Sequence, residues 1–287
     1  MRPDMPVSFS DEEIRALPLA IIPGAGGFSS PKDNLVMTCE SHGETILLDY
    51  PDVQWHLENL DLPSVAQAMH AQISRRIGRR PFVLAGASLG AIVAALVVQL
   101  NRDSICVAKV IGLDPAGSLE QVGPMVGGRE LGWLARNFAR ARSAGLGGSP
   151  SFFWVRLIRL IATVLARRVH RGSRIAKLVA WLLARVGPAQ FSVQLRMRLL
   201  IDSTTAWRRS HARQHEEILA SEVPCTIFHT PATRFDLAFW QRYFRSVSVK
   251  KIDGDHDTWF KFGGPQLLVA EWIAVSEQGV GRKLTEA

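Results

Sequence analysis

Ser88, Asp114 and His256 supply, in that order along 287 residues, a hydroxyl, a carboxylate and an imidazole, each just after an apolar run. A serine becomes a nucleophile when a histidine takes its proton and an acid holds that histidine in the right tautomer. Ser88 stands at the centre of Gly86-Ala87-Ser88-Leu89-Gly90, a G-x-S-x-G pattern. The strand-like Pro81-Phe82-Val83-Leu84-Ala85 enters this turn and the helix-like stretch from Ala91 to Leu100 leaves it. A strand-to-helix turn this tight needs flanking residues almost without side chains, and it lifts the serine hydroxyl over a helix N-terminus. The competing reading is a plain connection whose serine only caps the helix.

Functional groups of open parallel sheets gather at the C-terminal ends of strands. Asp114 closes the apolar run that follows the serine strand, with Pro115 behind it, and His256 lies in the polar loop Asp253-Gly254-Asp255-His256-Asp257 after the last such run. The order Ser, Asp, His is the one that this type of turn predicts. Asp236 is the rival acid, further from its strand and able to cap a helix instead. Asp253, Asp255 and Asp257 are too near His256 in sequence to orient it easily. An oxyanion needs two fixed N–H donors. Leu89, directly after the serine, offers one, and the glycine-rich Gly24-Ala25-Gly26 offers the other, with Ala25 the choice. That loop has neither G-x-G-x-x-G nor a P-loop lysine, so it is not read as a phosphate cradle. His211 and His215 are four apart on a predicted helix but lack the glutamate of a zinc-protease motif. His170, among Arg167, Arg168 and Arg171, is expected in solvent, and His229, ending a strand, is a weaker pocket candidate.

These groups need a scaffold that brings strand ends together. Strands are predicted at residues 17–22, 45–50, 81–85, 108–113, 225–229 and 247–252, with helices at 64–78, 89–101 and 265–277 among them. Such alternation indicates an α/β fold with a mostly parallel sheet and crossover helices. Between Gly117 and Ser221 no strand pattern appears. Amphipathic helices are predicted there at 154–168, 174–186 and 206–220, with a flexible break at 145–150. The expected organisation is a leader over 1–16, a core over 17–117 and 222–287, and a helical lid over 118–221.

The net charge is +8, and the basic residues crowd between Arg129 and Arg213. The surplus suits an acidic partner, whether protein, nucleic acid or anionic membrane. Cys39, Cys106 and Cys225 form no paired framework, so reduced thiols in a cytoplasmic protein are expected, the latter two in the core. Residues 1–17 lack the apolar segment of a secretory signal, and no apolar run is long enough to span a bilayer.

The motifs resemble the thioesterase domains that terminate nonribosomal peptide and polyketide assembly lines, within the α/β-hydrolase superfamily. Pro23 to Gly27 matches the family's Pro-x-Gly-Gly-like loop. Gly86 to Gly90 matches its Gly-x-Ser-x-Gly-Gly turn, with Ala91 in place of the last glycine and Ala87 where an aromatic or histidine is common. Leu113-Asp114 and Gly254-Asp255-His256 match its acid and base. The resemblance implies an α/β-hydrolase fold with a large helical lid insertion and a serine thioesterase with Ser88, Asp114 and His256 as its triad. Its substrate would be an acyl, peptidyl or polyketide chain on the phosphopantetheine of an acidic carrier protein, released by hydrolysis or cyclisation. No metal or other cofactor and no nucleic acid is expected. An esterase acting on oxygen esters would use the same groups. A non-catalytic membrane-surface protein is the remaining alternative, because Trp154 to Val186 mixes basic and apolar residues as a segment on anionic lipid would.

Overall fold

The computed structural model describes residues 17–27, 34–115, 150–213, 219–231, 235–254 and 263–284. The chain divides into two compact units, one of Met1–Tyr50, Pro63–Gly117 and Glu216–Ala287, the other of Pro51–Leu62 and Ser118–His215. The second unit thus takes in Pro51–Leu62, a stretch that the sequence reading leaves in the core.

The first unit is built on six parallel strands: β1 (Leu19–Ile22), β2 (Thr45–Leu47), β3 (Phe82–Ala87), β4 (Val107–Leu113), β5 (Cys225–His229) and β6 (Val247–Lys251). Their order across the sheet is β2-β1-β3-β4-β5-β6. All six lie where the apolar runs predict them. β1, β3, β4 and β5 carry mostly buried residues, as strands covered on both faces do. β1 pairs with β2 on one side and β3 on the other. The chain therefore reverses its direction of travel across the sheet between β1 and β3, and the crevice beyond their ends is the expected ligand position in such a sheet.

The helices of this unit are α1 (Asn34–Glu40), α3 (Leu62–Arg76), α4 (Leu89–Leu100), α8 (Leu237–Tyr243) and α9 (Gly264–Leu284); α2, α5, α6 and α7 belong to the second unit. α3 starts two residues before the predicted cap, Ser64, because Pro63 fits a helix's first turn, where its missing N–H costs nothing. α4 buries every residue from Leu89 to Val98. A helix apolar all round belongs in the interior.

Glu271 ties α9 to three strands. It pairs with Lys109 of β4, with Lys250 of β6 at 2.5 Å, and accepts the Thr226 hydroxyl of β5 at 2.8 Å. Burial works against its charge, but these donors outweigh burial and hold its carboxyl down from 4.5 to about 2. A depressed folded-state pKa contributes stability that is complete above the unfolded value and is lost as pH falls toward 2. The shift corresponds to about 3 kcal/mol. Urea melts of Glu271→Gln are expected to show a loss of that order at neutral pH and a much smaller one near pH 3 than near pH 7.

The second unit packs α2 (Val53–Glu58), α5 (Pro150–His170), α6 (Arg174–Val186) and α7 (Ala189–Arg213) around Leu57, Ile158, Phe191, Leu195 and Leu199. Val53, Val169, Ala162, Ala166, Ala176 and Ala180 complete this core, and the alanines let the helix axes approach closely. α6 covers the predicted residues. Ser173 caps it by accepting the Ala176 N–H, and Gly187 ends it. α7 differs from expectation, starting at Ala189 rather than near 206; the missed signal is the buried i, i+4, i+8 series Phe191, Leu195 and Leu199. His170 is half-buried rather than solvated, with Nε2 at 3.2 Å from the Leu199 carbonyl oxygen. His56 is buried on α2, and its Nε2 has no hydrogen-bond partner among the described residues. Burial first, then the charge of Arg196, pushes it down to about 4, so it is neutral near neutral pH.

Candidate active site

Ser88 follows the last residue of β3 with φ 52° and ψ −118°, a backbone conformation that L-residues rarely adopt. Its side chain makes no capping bond to α4. A serine serving only as a cap has extended backbone and accepts from the helix's first N–H groups; Ser88 does neither. Its own N–H donates to the Leu113 carbonyl of β4 at 2.8 Å, which locks the turn onto the next strand. Such strain persists only where its surroundings impose it, and it concentrates at functional sites.

The two glycines of the motif have separate steric reasons. A Cβ on Gly86 would come within 2.4 Å of the Gly90 carbonyl oxygen and 2.6 Å of the Ala91 Cα. One on Gly90 would come within 2.4 Å of the Pro23 carbonyl oxygen. Gly86 thus lets the chain double back, and Gly90 lets the first turn of α4 press against the loop after β1. Gly112 of β4 faces Ala91: a Cβ there would be in ordinary contact with that of Ala91 at 3.5 Å, but only 2.5 Å from the Ile227 Cδ1.

The Pro23-to-Gly27 loop lies beside the serine. A Cβ on Gly24 would be 3.5 Å from the Ser88 Cβ. The loop turns tightly, the Gly27 N–H donating to the Gly24 carbonyl at 2.9 Å, which puts Ala25 and Gly26 at its tip. Leu89, first residue of α4, has an N–H that the helix cannot pair internally. The two groups chosen as oxyanion donors thus belong to a loop and a helix start that meet around Ser88. A residue that sequence reasoning missed holds this arrangement. Tyr50 is buried and donates its hydroxyl at 2.8 Å to the Pro23 carbonyl, the same oxygen that a Cβ on Gly90 would meet. Only the fold places Tyr50 there, since 27 residues separate it from Pro23. Tyr50→Phe is expected to leave KM nearly unchanged and lower kcat about tenfold, the cost of one loosened hydrogen bond. Steady-state kinetics on a thioester would separate the two constants.

Asp114 follows β4 with φ 42° and is fully buried. β3 and β4 are in register up to Ala87 and Leu113, so Ser88 and Asp114 are the next residues of adjacent strands. The Asp114 N–H donates to the Phe228 carbonyl at 2.7 Å. Its Oδ1 accepts both the N–H and the hydroxyl of buried Thr230, at 2.8 and 3.1 Å. Thr230, directly after β5, was also missed by sequence reasoning. Asp236 is elsewhere: it is exposed and caps α8 by accepting the Phe239 N–H at 3.1 Å. His229 stacks on Phe235, ring centroids 5.2 Å apart. His256 lies outside the described residues, as do His215 and the leader; β6 ends five residues before His256, in line beside β5.

Thiol chemistry does not compete here. Cys39 and Cys225 are buried, and burial pushes the Cys39 thiol up to about 12 and the Cys225 thiol higher still. Both stay protonated and unreactive. Cys106, expected in the core, is partly exposed.

No protein-family model and no curated protein sequence matches the chain. Solved structures do resemble it. The RedJ thioesterase of the prodiginine biosynthetic pathway in Streptomyces coelicolor aligns over 96% of this chain and 91% of its own, with TM-score 0.52 and 16% identity. The NocB thioesterase domain, solved as a covalent complex with a fluorophosphonate nocardicin G analogue, aligns over 94% and 97%, with TM-score 0.50 and 14% identity. A Pseudomonas aeruginosa protein described as an epoxide hydrolase aligns over 92% and 90%, with TM-score 0.53 and 14% identity. The chain has the α/β-hydrolase fold, and the structures it resembles include thioesterases of the kind its motifs suggest.

Proposed function

We propose that this chain is a serine thioesterase that releases an acyl chain from the phosphopantetheine of a carrier protein. The observation that carries the reading is Ser88, held in a strained turn at the sheet's switch point, one strand from a buried and hydrogen-bonded Asp114. His256 takes the Ser88 proton, and Asp114 holds the imidazole in the productive tautomer. The Ser88 oxygen attacks the thioester carbonyl, and the N–H groups of Leu89 and Ala25 stabilise the negative oxygen that forms. The carbon–sulfur bond breaks, and the proton held by His256 passes to the departing thiolate. Water then attacks the acyl-serine to give a free acid; a hydroxyl or amine of the acyl chain itself would give a ring. None of these steps calls on a metal or other cofactor.

Helices of the insertion act as a lid that admits or excludes water, and so select between acid and ring. Residues 118–215 hold seventeen Lys and Arg against three Asp and Glu, a balance suited to an acidic carrier protein. The three unpaired cysteines suit a reducing cytoplasm. No helix among the described residues is long and apolar enough to cross a membrane.

Intact-protein mass spectrometry after mixing with a panel of acyl-pantetheine thioesters tests the reading. The expected result is an acyl adduct on Ser88 and a faster turnover of thioesters than of a short-chain aryl ester. Faster turnover of the aryl ester would make the protein an oxygen-ester hydrolase. No adduct with either, and no labelling by a fluorophosphonate, would overturn serine catalysis.

A further inference from the structure

Surface helices of folded proteins turn their large apolar residues inward. α6 does the reverse. Its inner stripe is Ala176 and Ala180, both buried, with Ala184 partly so. Its large residues Ile175, Leu178, Val179, Leu182 and Val186 repeat as i, i+3, i+4, i+7 and i+11 and form one outward stripe. Ile175 is 77% exposed, Leu178 64% and Val186 71%. A second stripe, one residue earlier throughout, runs Arg174, Lys177, Trp181, Arg185 and is also exposed. The Arg185 guanidinium lies over the Trp181 ring at 5.2 Å. An apolar stripe edged by cations and a tryptophan is the pattern of a helix lying in the plane of a bilayer interface.

We propose that α6 docks the protein on an anionic membrane surface, with its aliphatic stripe among the acyl chains and Arg174, Lys177 and Arg185 at the phosphates. Two features favour a bilayer as occupant. Exposed Arg174, Lys177 and Arg185 edge the stripe, against Glu58 as the one acid lining the adjoining groove, so a second copy of this face would meet like-charge repulsion, whereas an anionic surface complements it. Beside the stripe runs an open groove lined by Leu57, Leu178 and Trp181, with Arg174, Lys177, Gln54 and Glu58. Apolar walls with two cations suit a phospholipid. The docking is independent of the catalytic reading: it needs neither Ser88 nor a carrier protein.

Co-sedimentation of the full chain with vesicles tests it. Phosphatidylcholine vesicles containing about one third phosphatidylglycerol should bind the protein at least about tenfold more tightly than pure phosphatidylcholine, and less so in high salt. The double variant Leu178→Ser, Leu182→Ser should lose most of the binding, with circular dichroism as the check on folding. The triple variant Arg174→Gln, Lys177→Gln, Arg185→Gln changes only exposed side chains; it should weaken binding about tenfold or more and flatten the salt dependence. Ser88→Ala should bind as the parent does, which separates failure of this inference from failure of the catalytic one. Absence of binding to anionic vesicles, equal binding to both vesicle types, or unaltered binding by a folded α6 variant would overturn the proposal. So would capture of an acidic carrier protein through the same residues while vesicles are ignored.

Discussion

Ser88→Ala is expected to abolish fluorophosphonate labelling and lower thioester turnover by at least about a thousandfold, the scale on which a nucleophile acts. Ser88→Gly should be equally inactive but more stable than the parent. The parent residue is held at φ 52° with a Cβ, a strain of about 1–2 kcal/mol that glycine relieves. For a chain of this size each kcal/mol raises Tm by about 2–4 °C, less the cost of glycine's freedom when unfolded. A thermal melt beside the activity assay reads both effects. Activity lost with stability gained would mark strain kept for function. Serine variants that still turn over acyl-pantetheine at the parent rate would remove Ser88 from the mechanism.

Asp114→Asn is expected to lower kcat by about a thousandfold to ten-thousandfold while the protein stays folded. The amide oxygen of asparagine can still accept the two bonds from Thr230. What the variant loses is the charge that fixes and stabilises an imidazolium. Asp236→Asn is the control, because asparagine caps a helix as well as aspartate does, and Asp236 already caps α8. That variant should keep nearly full activity. The opposite outcome in kcat, with Asp236 essential and Asp114 dispensable, would transfer the role of the acid to Asp236.

Five of the six strands were legible as short, largely apolar runs, and β6 through its alternating Val247 and Val249; a mostly parallel sheet followed from the helices between them. The G-x-S-x-G turn was legible because steric crowding acts between near neighbours: Gly86 meets Gly90 and Ala91, all within five residues. The same locality explains why Arg174 to Val186 was found residue for residue, with Ser173 capping its start and Gly187 its end. α7 was cut short in the reading because arginines between its apolar positions blur the helical period. Tyr50 and Thr230 escaped notice for a different cause. Each acts on a residue far away in sequence, Pro23 or Asp114, and no local pattern marks a hydrogen bond across 27 or 116 positions.

Residue types and short spacings were therefore enough to specify the sheet, the serine turn and a basic helical insertion, since these depend on sterics and periodicity within a few residues. Strand register alone decided that Ser88 and Asp114 leave adjacent strands together; a side-chain cap holds Asp236 at the start of α8, and a hydrogen bond across the fold sets Tyr50 against the loop beside the serine. Packing alone decided which side of α6 faces outward. An amphipathic pattern records that two faces differ, but only the neighbouring helices determine which one they cover, and here they cover the alanines.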